Sequence, residues 1–435
     1  MDKQALKKMA LEAIEKNKDI IINTGKTILA KPELGYKEWE TSRLVKERFT
    51  ELGLSYRDGI ALTGVRADAA CAKPGPRVAV LGELDAVLCP AHPFADPLTG
   101  AAHSCGHNAQ IAAMLGVAYG LTTSGVMDEL AGSVAFFAVP AEEFVELEYR
   151  QTLAREGKIK YLGGKQEMIA NGDLDDIDLA MMVHSTSNKG DHIAQINGSS
   201  NAFLGKTVSF IGKEAHAGGA PEAGINALNA AMGAIMLIHA QRETFKDEDG
   251  IRVHPILTKG GDLVNIVPAD VRMETFVRGK TIEGVGDANK KVNRAIKGAA
   301  FAIGAEAKIT ELPGYLALNQ DKSLTQLFAD NMISLYGQDS VTEGGSSGGS
   351  TDMGDISGLI PALHPHMGGF EGGGHSKDYA ISDEDAAYLS PARVMAMTVI
   401  DLLYDDAAAA KKIMADFKPL YTKEEYVRIW ADMME

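Results

Sequence analysis

The run Val78-Ala79-Val80-Leu81-Gly82-Glu83-Leu84-Asp85 decides how the rest of the chain reads. Its first four residues are apolar and partly β-branched, the pattern of a short strand buried on both faces. Its last four carry two carboxylates. After a stretch rich in Pro and Ala, His103-Ser104-Cys105-Gly106-His107-Asn108 leads directly into a small-residue helical run, AQIAAMLGVAYGL. The pattern returns twice. Ser133 to Val139 (SVAFFAV) reads as a buried strand that ends at Pro140-Ala141-Glu142-Glu143, and Leu179 to Val183 (LAMMV) as one that ends at His184. Strand, polar cluster and helix in alternation predict an α/β domain with helices on both faces of its sheet. In such sheets functional side chains collect at strand ends, where all three polar clusters lie.

Working outward, residues 2–30 have helical spacing of apolar residues up to a stop at Pro32, and a second helix is read over 38–52. Near Asn197 the pattern changes. Residues 206–211 alternate like a half-buried strand. A helix over 225–243, strands near 252–258 and 271–277, a helix over 283–303 and a strand over 305–311 follow. That β-α-β-β-α-β order is ferredoxin-like. It predicts an inserted domain at 200–312, with 1–199 and 313–435 forming one discontinuous domain, the return marked by Pro313-Gly314. A helix over 321–336, the Gly/Ser loop GGSSGGSTDMGD and the stretch GGFEGGGHSKD, which contains His375, complete the pattern.

The 435 residues carry 43 Lys+Arg against 59 Asp+Glu, a formal charge of −16. This excess argues against a nucleic-acid surface, which needs clustered cations to displace counterions from phosphates. It limits membrane-surface binding for the same reason. No window reaches the ~18 uninterrupted apolar residues of a membrane span, and the first residues are charged, with no apolar signal core. The expectation is a cytoplasmic protein. Cys71, Cys89 and Cys105 are too few, and odd in number, for a disulfide framework, so they are read as reduced thiols.

Cys105-x-His107 pairs a soft thiolate with a borderline imidazole at a helix start, a donor set suited to zinc or a similar ion. Alone the signal is weak, because a buried cysteine beside a hydrogen-bonded histidine gives the same pattern. Glu142-Glu143 at a strand end needs a cation partner if the strand is central, and the second carboxylate can then act on water as a general base. A solvated helix N-terminus is the competing reading. His184 and His375 bring the candidate ligands to five, more than one zinc ion ordinarily takes. Five donors suit two ions that share a ligand. Asp85 is read as the carboxylate that orients His107, with a helix cap as its alternative.

The stretches GELDAV, HSCGHN, PAEE, GKEAHAG, NIVPADVRMETFVRG, STDMGD and GGGHS span nearly the whole chain, and together they resemble peptidase family M20. The likeness is to its amidohydrolase branch, which acts on aminobenzoyl-glutamate, dipeptides and auxin conjugates. The resemblance implies an α/β catalytic domain with a central mixed sheet and flanking helices, and an inserted α+β lid and dimerisation domain. It implies two divalent ions, zinc or manganese, with Cys105 bridging them. His107 and Glu143 would complete one side, and His184 and His375 the other. Glu142 would be the general base, and Asp85 would stand behind His107. His216, in GKEAHAG, would stabilise an oxyanion in the partner subunit of a homodimer, and Asn265 and Arg278 would bind substrate. The implied reaction is cleavage of the amide bond of an N-acyl or N-aryl amino acid or small dipeptide by a metal-bridged hydroxide.

Three departures bear on substrate rather than on ligands. Phe144 stands where many relatives have glycine, Ser-Thr-Ser follows His184, and Asn108 replaces a frequent aspartate. Three rivals remain at this stage. They are hydrolytic deamination of an aromatic amine on the same site, a catalytically silent binding or regulatory relative, and a thiol hydrolase using Cys105 as nucleophile.

Overall fold

The computed structural model describes residues 1–434. The opening run is the end of a longer strand, Lys73–Glu83, near the middle of a six-stranded mixed sheet. Across the sheet the strands are Tyr56–Ile60, Gly64–Ala70, Ala131–Val139, Lys73–Glu83, Leu179–Met181 and Ala362–Leu363. The first pairs antiparallel with the second and the second antiparallel with the third, and the last four run parallel. Val78, Ala79 and Val80 are fully buried, as are Val134 to Phe137 on the neighbouring strand. Burying each of the large side chains among them stabilises the sheet by ~1.5–3 kcal/mol. The parallel strands deliver Glu83, the Glu142-Glu143 pair and His184 from their carboxyl ends.

The helix His107–Thr122 is buried over its whole length as far as Leu121, so it lies inside the fold rather than along its surface. Its small residues permit close approach: a Cβ on Gly116 would lie 2.6 Å from that of Ala392. Ala392 belongs to Ser390–Asp416, which extends the helical stretch 385–416. That stretch is long and apolar enough by composition to cross a membrane, but 94% of its apolar window is buried inside the protein. Non-helical residues at Tyr404–Ala407 break it into two helices.

The helix read over 2–30 is two helices, Lys3–Lys16 and Lys18–Leu29. The break is at Asn17, whose side-chain amide donates to the Ala13 carbonyl at 2.8 Å and competes with the backbone for it. The strand read near 252–258 is likewise two pieces, Arg252–Val253 and Ile256–Lys259. Pro255 lies between them and has no N–H to give a ladder.

The chain forms two compact units. The first comprises Met1–Ser199, Asn319–Ser346 and Asp355–Lys423. The second comprises Ser200–Leu318, Ser347–Gly354 and the chain from Glu424 on. It therefore takes in a piece of the Gly/Ser loop and the last helix, Lys423–Met434, as well as the stretch read as an insertion. Its strands lie in the order Arg252–Val253, Asp270–Gly279, Ala202–Ile211, Glu306–Pro313, all antiparallel. Helices Ala227–Ala240 and Ile282–Ile303 pack together and against this sheet. The order is that of a ferredoxin-like unit.

Candidate metal centre

Cys105 occupies the turn before the helix His107–Thr122. Gly106 turns the chain there with φ +80, and a Cβ at that position would lie 2.3 Å from Ser185 Oγ. Only glycine meets both demands. Ser185 Oγ donates to the Cys105 carbonyl at 2.7 Å, and Tyr379 Oη donates to Ser185 Oγ at 2.6 Å. The thiol is thus fixed by its backbone. Burial and the Glu143 carboxylate oppose its ionisation, but His107 and His184 outweigh them and hold it at about 5. The helix N-terminus acts in the same direction.

Two donor groups share the Cys105 sulfur. One is Cys105, His107 and His184, and the other is Cys105, Glu143 and His375; in each, one donor atom per residue lies within 4.8 Å of the others. His184 Nε2 is 3.5 Å from Sγ, His375 Nε2 is 3.3 Å from Sγ, and His375 Nε2 is 3.1 Å from Glu143 Oε1. The five residues that the sequence offers as candidate ligands lie together in these two groups. The structure pairs them differently from the resemblance: His107 goes with His184, and Glu143 goes with His375.

The histidines are oriented as ligands. His107 Nδ1 lies 2.9 Å from the Asp85 carbonyl, and His184 Nδ1 lies 2.8 Å from the Ser185 carbonyl. A carbonyl only accepts, so each Nδ1 carries a proton, and each Nε2 faces the anionic cluster, where a bound ion would take its lone pair. Asp85 has two tasks. Its Oδ1 is 3.4 Å from His107 Nδ1, and its Oδ2 accepts the Glu143 N–H at 2.9 Å. The buried atoms His107 Nε2 and Glu143 Oε1 face only other donor atoms of the cluster, Glu83 Oε2 at 3.0 Å and His375 Nε2 at 3.1 Å. Imidazole and carboxylate atoms converging on a thiolate are the donor set of a divalent ion.

His375 comes from the Gly-rich loop with φ +59, and its N–H donates to the Ser104 carbonyl at 2.8 Å, which ties the loop beside Cys105. Hydrogen bonds from Cys105 and Glu143 push its imidazole up to about 11. Glu142 joins a third donor group with His107 and Glu83.

Several residues of this site escaped the sequence reading. His366 pairs with His184 in parallel register, and the rings of His364 and His366 lie 5.6 and 5.2 Å from that of His184. Burial and the neighbouring His184 drive both downward, His366 to about 3, so they form a neutral wall. Ala141, just before the glutamate pair, has φ +56. Buried Glu38 accepts its N–H at 2.8 Å, and the N–H of Gly164 reaches its carbonyl at 3.2 Å. A strained peptide gripped at both ends sets the direction of Glu142 and Glu143. Glu83 and Lys165 form a buried ion pair at 2.6 Å. Glu83 was visible as a strand-end carboxylate, whereas nothing in sequence marks Lys165 as its partner.

The remaining expected residues lie in the second unit. His216 is exposed, and its Nδ1 accepts the N–H groups of Gly218 and Gly219 at 3.2 and 2.9 Å. The ring proton is therefore on Nε2. Asn265 is a neighbour of this turn, its carbonyl accepting the Ala217 N–H at 3.0 Å. Arg278 lies over the rings of Phe203 and Phe276 and donates to Ser350 Oγ at 3.4 Å.

A mixed α/β fold whose strand ends gather a thiolate, imidazoles and carboxylates defines a metal-binding hydrolase. Residues 199–303 match the peptidase dimerisation domain of family M20. The chain is 28% identical to the Xaa-Arg dipeptidase of Mus musculus, over 93% of this chain and 90% of that protein. Two solved structures share its fold. A dinuclear metal-binding M20 peptidase from Bacillus subtilis matches with TM-score 0.66 and 21% identity, over 88% of this chain and 98% of that one. The aminobenzoyl-glutamate utilisation protein of Klebsiella pneumoniae matches with TM-score 0.68 and 18% identity, over 91% and 99%. Residues 199–303 thus carry the likeness to family M20, and over most of its length the chain is similar to enzymes that act on amide bonds.

Proposed function

We propose that the protein hydrolyses the amide bond of a small dipeptide or of an N-acyl or N-aryl amino acid, with two divalent ions held by Cys105, His107, Glu143, His184 and His375. The observation that carries this reading is the pair of donor groups sharing the Cys105 sulfur. The dipeptidase relative supports the substrate class. Zinc and manganese both suit the donors. When bound, such ions polarise a carbonyl and acidify water.

Glu142 takes the proton of the attacking water and passes it to the leaving amine. Its neighbourhood supports the role: its carboxylate lies within 4.8 Å of His107 and Glu83 donor atoms, at the mouth of a buried, low-dielectric cluster. Asp85 keeps His107 in its ligand tautomer. The partner subunit's His216, with its proton on Nε2, stabilises the oxyanion of a homodimer's active site. Arg278 and Asn265 bind the substrate, the guanidinium taking its free carboxylate. The enzyme works in the cytoplasm, where the Cys105 thiolate stays reduced.

The test is a panel of dipeptides, N-acyl and N-aryl amino acids assayed with zinc and with manganese, together with Glu142→Gln. The variant is expected to keep its metal and lose about 10²–10⁴ in kcat. Turnover near the wild-type rate would remove Glu142 as the base. Inactive Glu142→Gln and His216→Ala chains, mixed and allowed to exchange subunits, should regain part of the activity. Proven heterodimers without activity would exclude the role in the partner.

A further inference from the structure

Glu83 is not among the five ligands, yet it is built like one. Its side chain is 1% exposed. Oε1 accepts from Lys165 Nζ at 2.6 Å, and that lysine is fully buried as well. Oε2 points the other way and stands 3.0 Å from His107 Nε2. Apart from this contact, neither Oε2 nor Nε2 has a polar partner.

The tautomer makes this contact informative. The Asp85 carbonyl fixes the proton of a neutral His107 on Nδ1, so Nε2 offers a lone pair. A carboxylate oxygen offers another. Two such atoms sit 3.0 Å apart in a buried site only with a proton or a metal ion between or beside them, and with Glu142 they form a group of donor atoms within 4.8 Å of one another that fits an ion.

Lys165 accounts for the rest of the arrangement. Carboxylates that bind metal are themselves held by hydrogen bonds, which fix the oxygen they present. Lys165 holds Oε1 and leaves Oε2 directed at His107. The Glu83 N–H is tied in turn to Gln110 Oε1 at 3.1 Å, so the backbone on which the carboxylate stands is fixed too.

We propose that Glu83 is a further ligand, sharing an ion with His107, and that Lys165 is the outer partner that positions it. This deepens the metal reading of the preceding section and rests on it. Glu83 adds a second anionic donor to the side of the site where Cys105 is the only one.

The experiment compares full-length wild type with Glu83→Gln, the double variant Glu83→Gln/Lys165→Met, and Glu143→Gln as a reference. Each is stripped of metal, checked for its fold by circular dichroism, and titrated with cobalt(II), with bound metal counted after equilibrium dialysis. The double variant removes both buried charges together, so it remains readable where an unpaired Lys165 unfolds the single variant. Wild type is expected to bind two ions, and the double variant to bind one of them at least about 10-fold more weakly. If the double variant binds both ions as wild type does while Glu143→Gln does not, Glu83 is only the ion-pair partner of Lys165 and the proposal is overturned. If wild type binds no ion and Glu143→Gln changes nothing, the metal reading fails and takes this proposal with it.

Discussion

The two donor groups that share Cys105 are made differently. His107 and His184 come from a helix start and a strand end in the core, and their Nδ1 atoms are held by backbone carbonyls. On the other side, His375 comes from a glycine-rich loop and its side chain is 52% exposed, beside a nearly buried Glu143. The rigid side is fixed before any ligand arrives, whereas the other is completed by a segment that solvent reaches. A difference of this kind predicts unequal affinity and unequal exchange for the two proposed ions.

The largest effect should come from the residue common to both sides. Cys105→Ala is expected to lose both ions and at least about three decades in rate, because each ion supplies several kcal/mol of transition-state stabilisation. Metal analysis after dialysis, with a rate measurement, checks it. Retention of two ions would end the idea of a shared sulfur. Next, His375→Ala should drop the metal content from two ions to one, and a chelator should remove that same ion first from wild type. His184→Ala should cost the slowly exchanging ion. Equal exchange rates for the two ions would erase the distinction.

A third expectation concerns the peptide that aims the glutamate pair. Burial, then the charge of Asp85, raise Glu38 from 4.5 to about 7. The folded state therefore holds a proton that the unfolded chain has released between those values. The contribution of Glu38 to stability is full below the ordinary glutamate range and is lost as pH rises through about 7, at up to about 1.4 kcal/mol per pH unit. Denaturant midpoints at pH 5 and pH 8 should converge in Glu38→Gln relative to wild type. The smallest effect is expected of Gly106→Ala on the rigid side. A positive φ and the contact with Ser185 should cost about 1–3 kcal/mol, read as a lowered Tm.

The sequence carried the strand ends well, because a buried parallel strand announces itself as an apolar run and its first polar residues mark the mouth of the sheet. Glu142, Glu143, His184 and the Cys105 turn were legible on that ground. Which donor groups with which was not, since pairing depends on how separate loops close over one another. Lys165 lies 82 residues from Glu83, and Glu38 lies 103 from Ala141. No local pattern encodes contacts of that range. His366 was hidden for a different reason: its strand, His366–Met367, is two residues long, too short for periodicity to show. The breaks at Asn17 and Pro255 were misread because apolar spacing continues across them while the backbone does not.

A sulfur that belongs to both donor groups has a thermodynamic consequence. Two ions on one thiolate cannot fill their places independently, since each alters the charge the other meets. Whatever factor the first ion imposes on the affinity of the second, the second must impose on the first. With two ions bound as proposed, metal occupancy would be a linked equilibrium, and the concentration at which the exposed position fills would also govern how tightly the buried one is held.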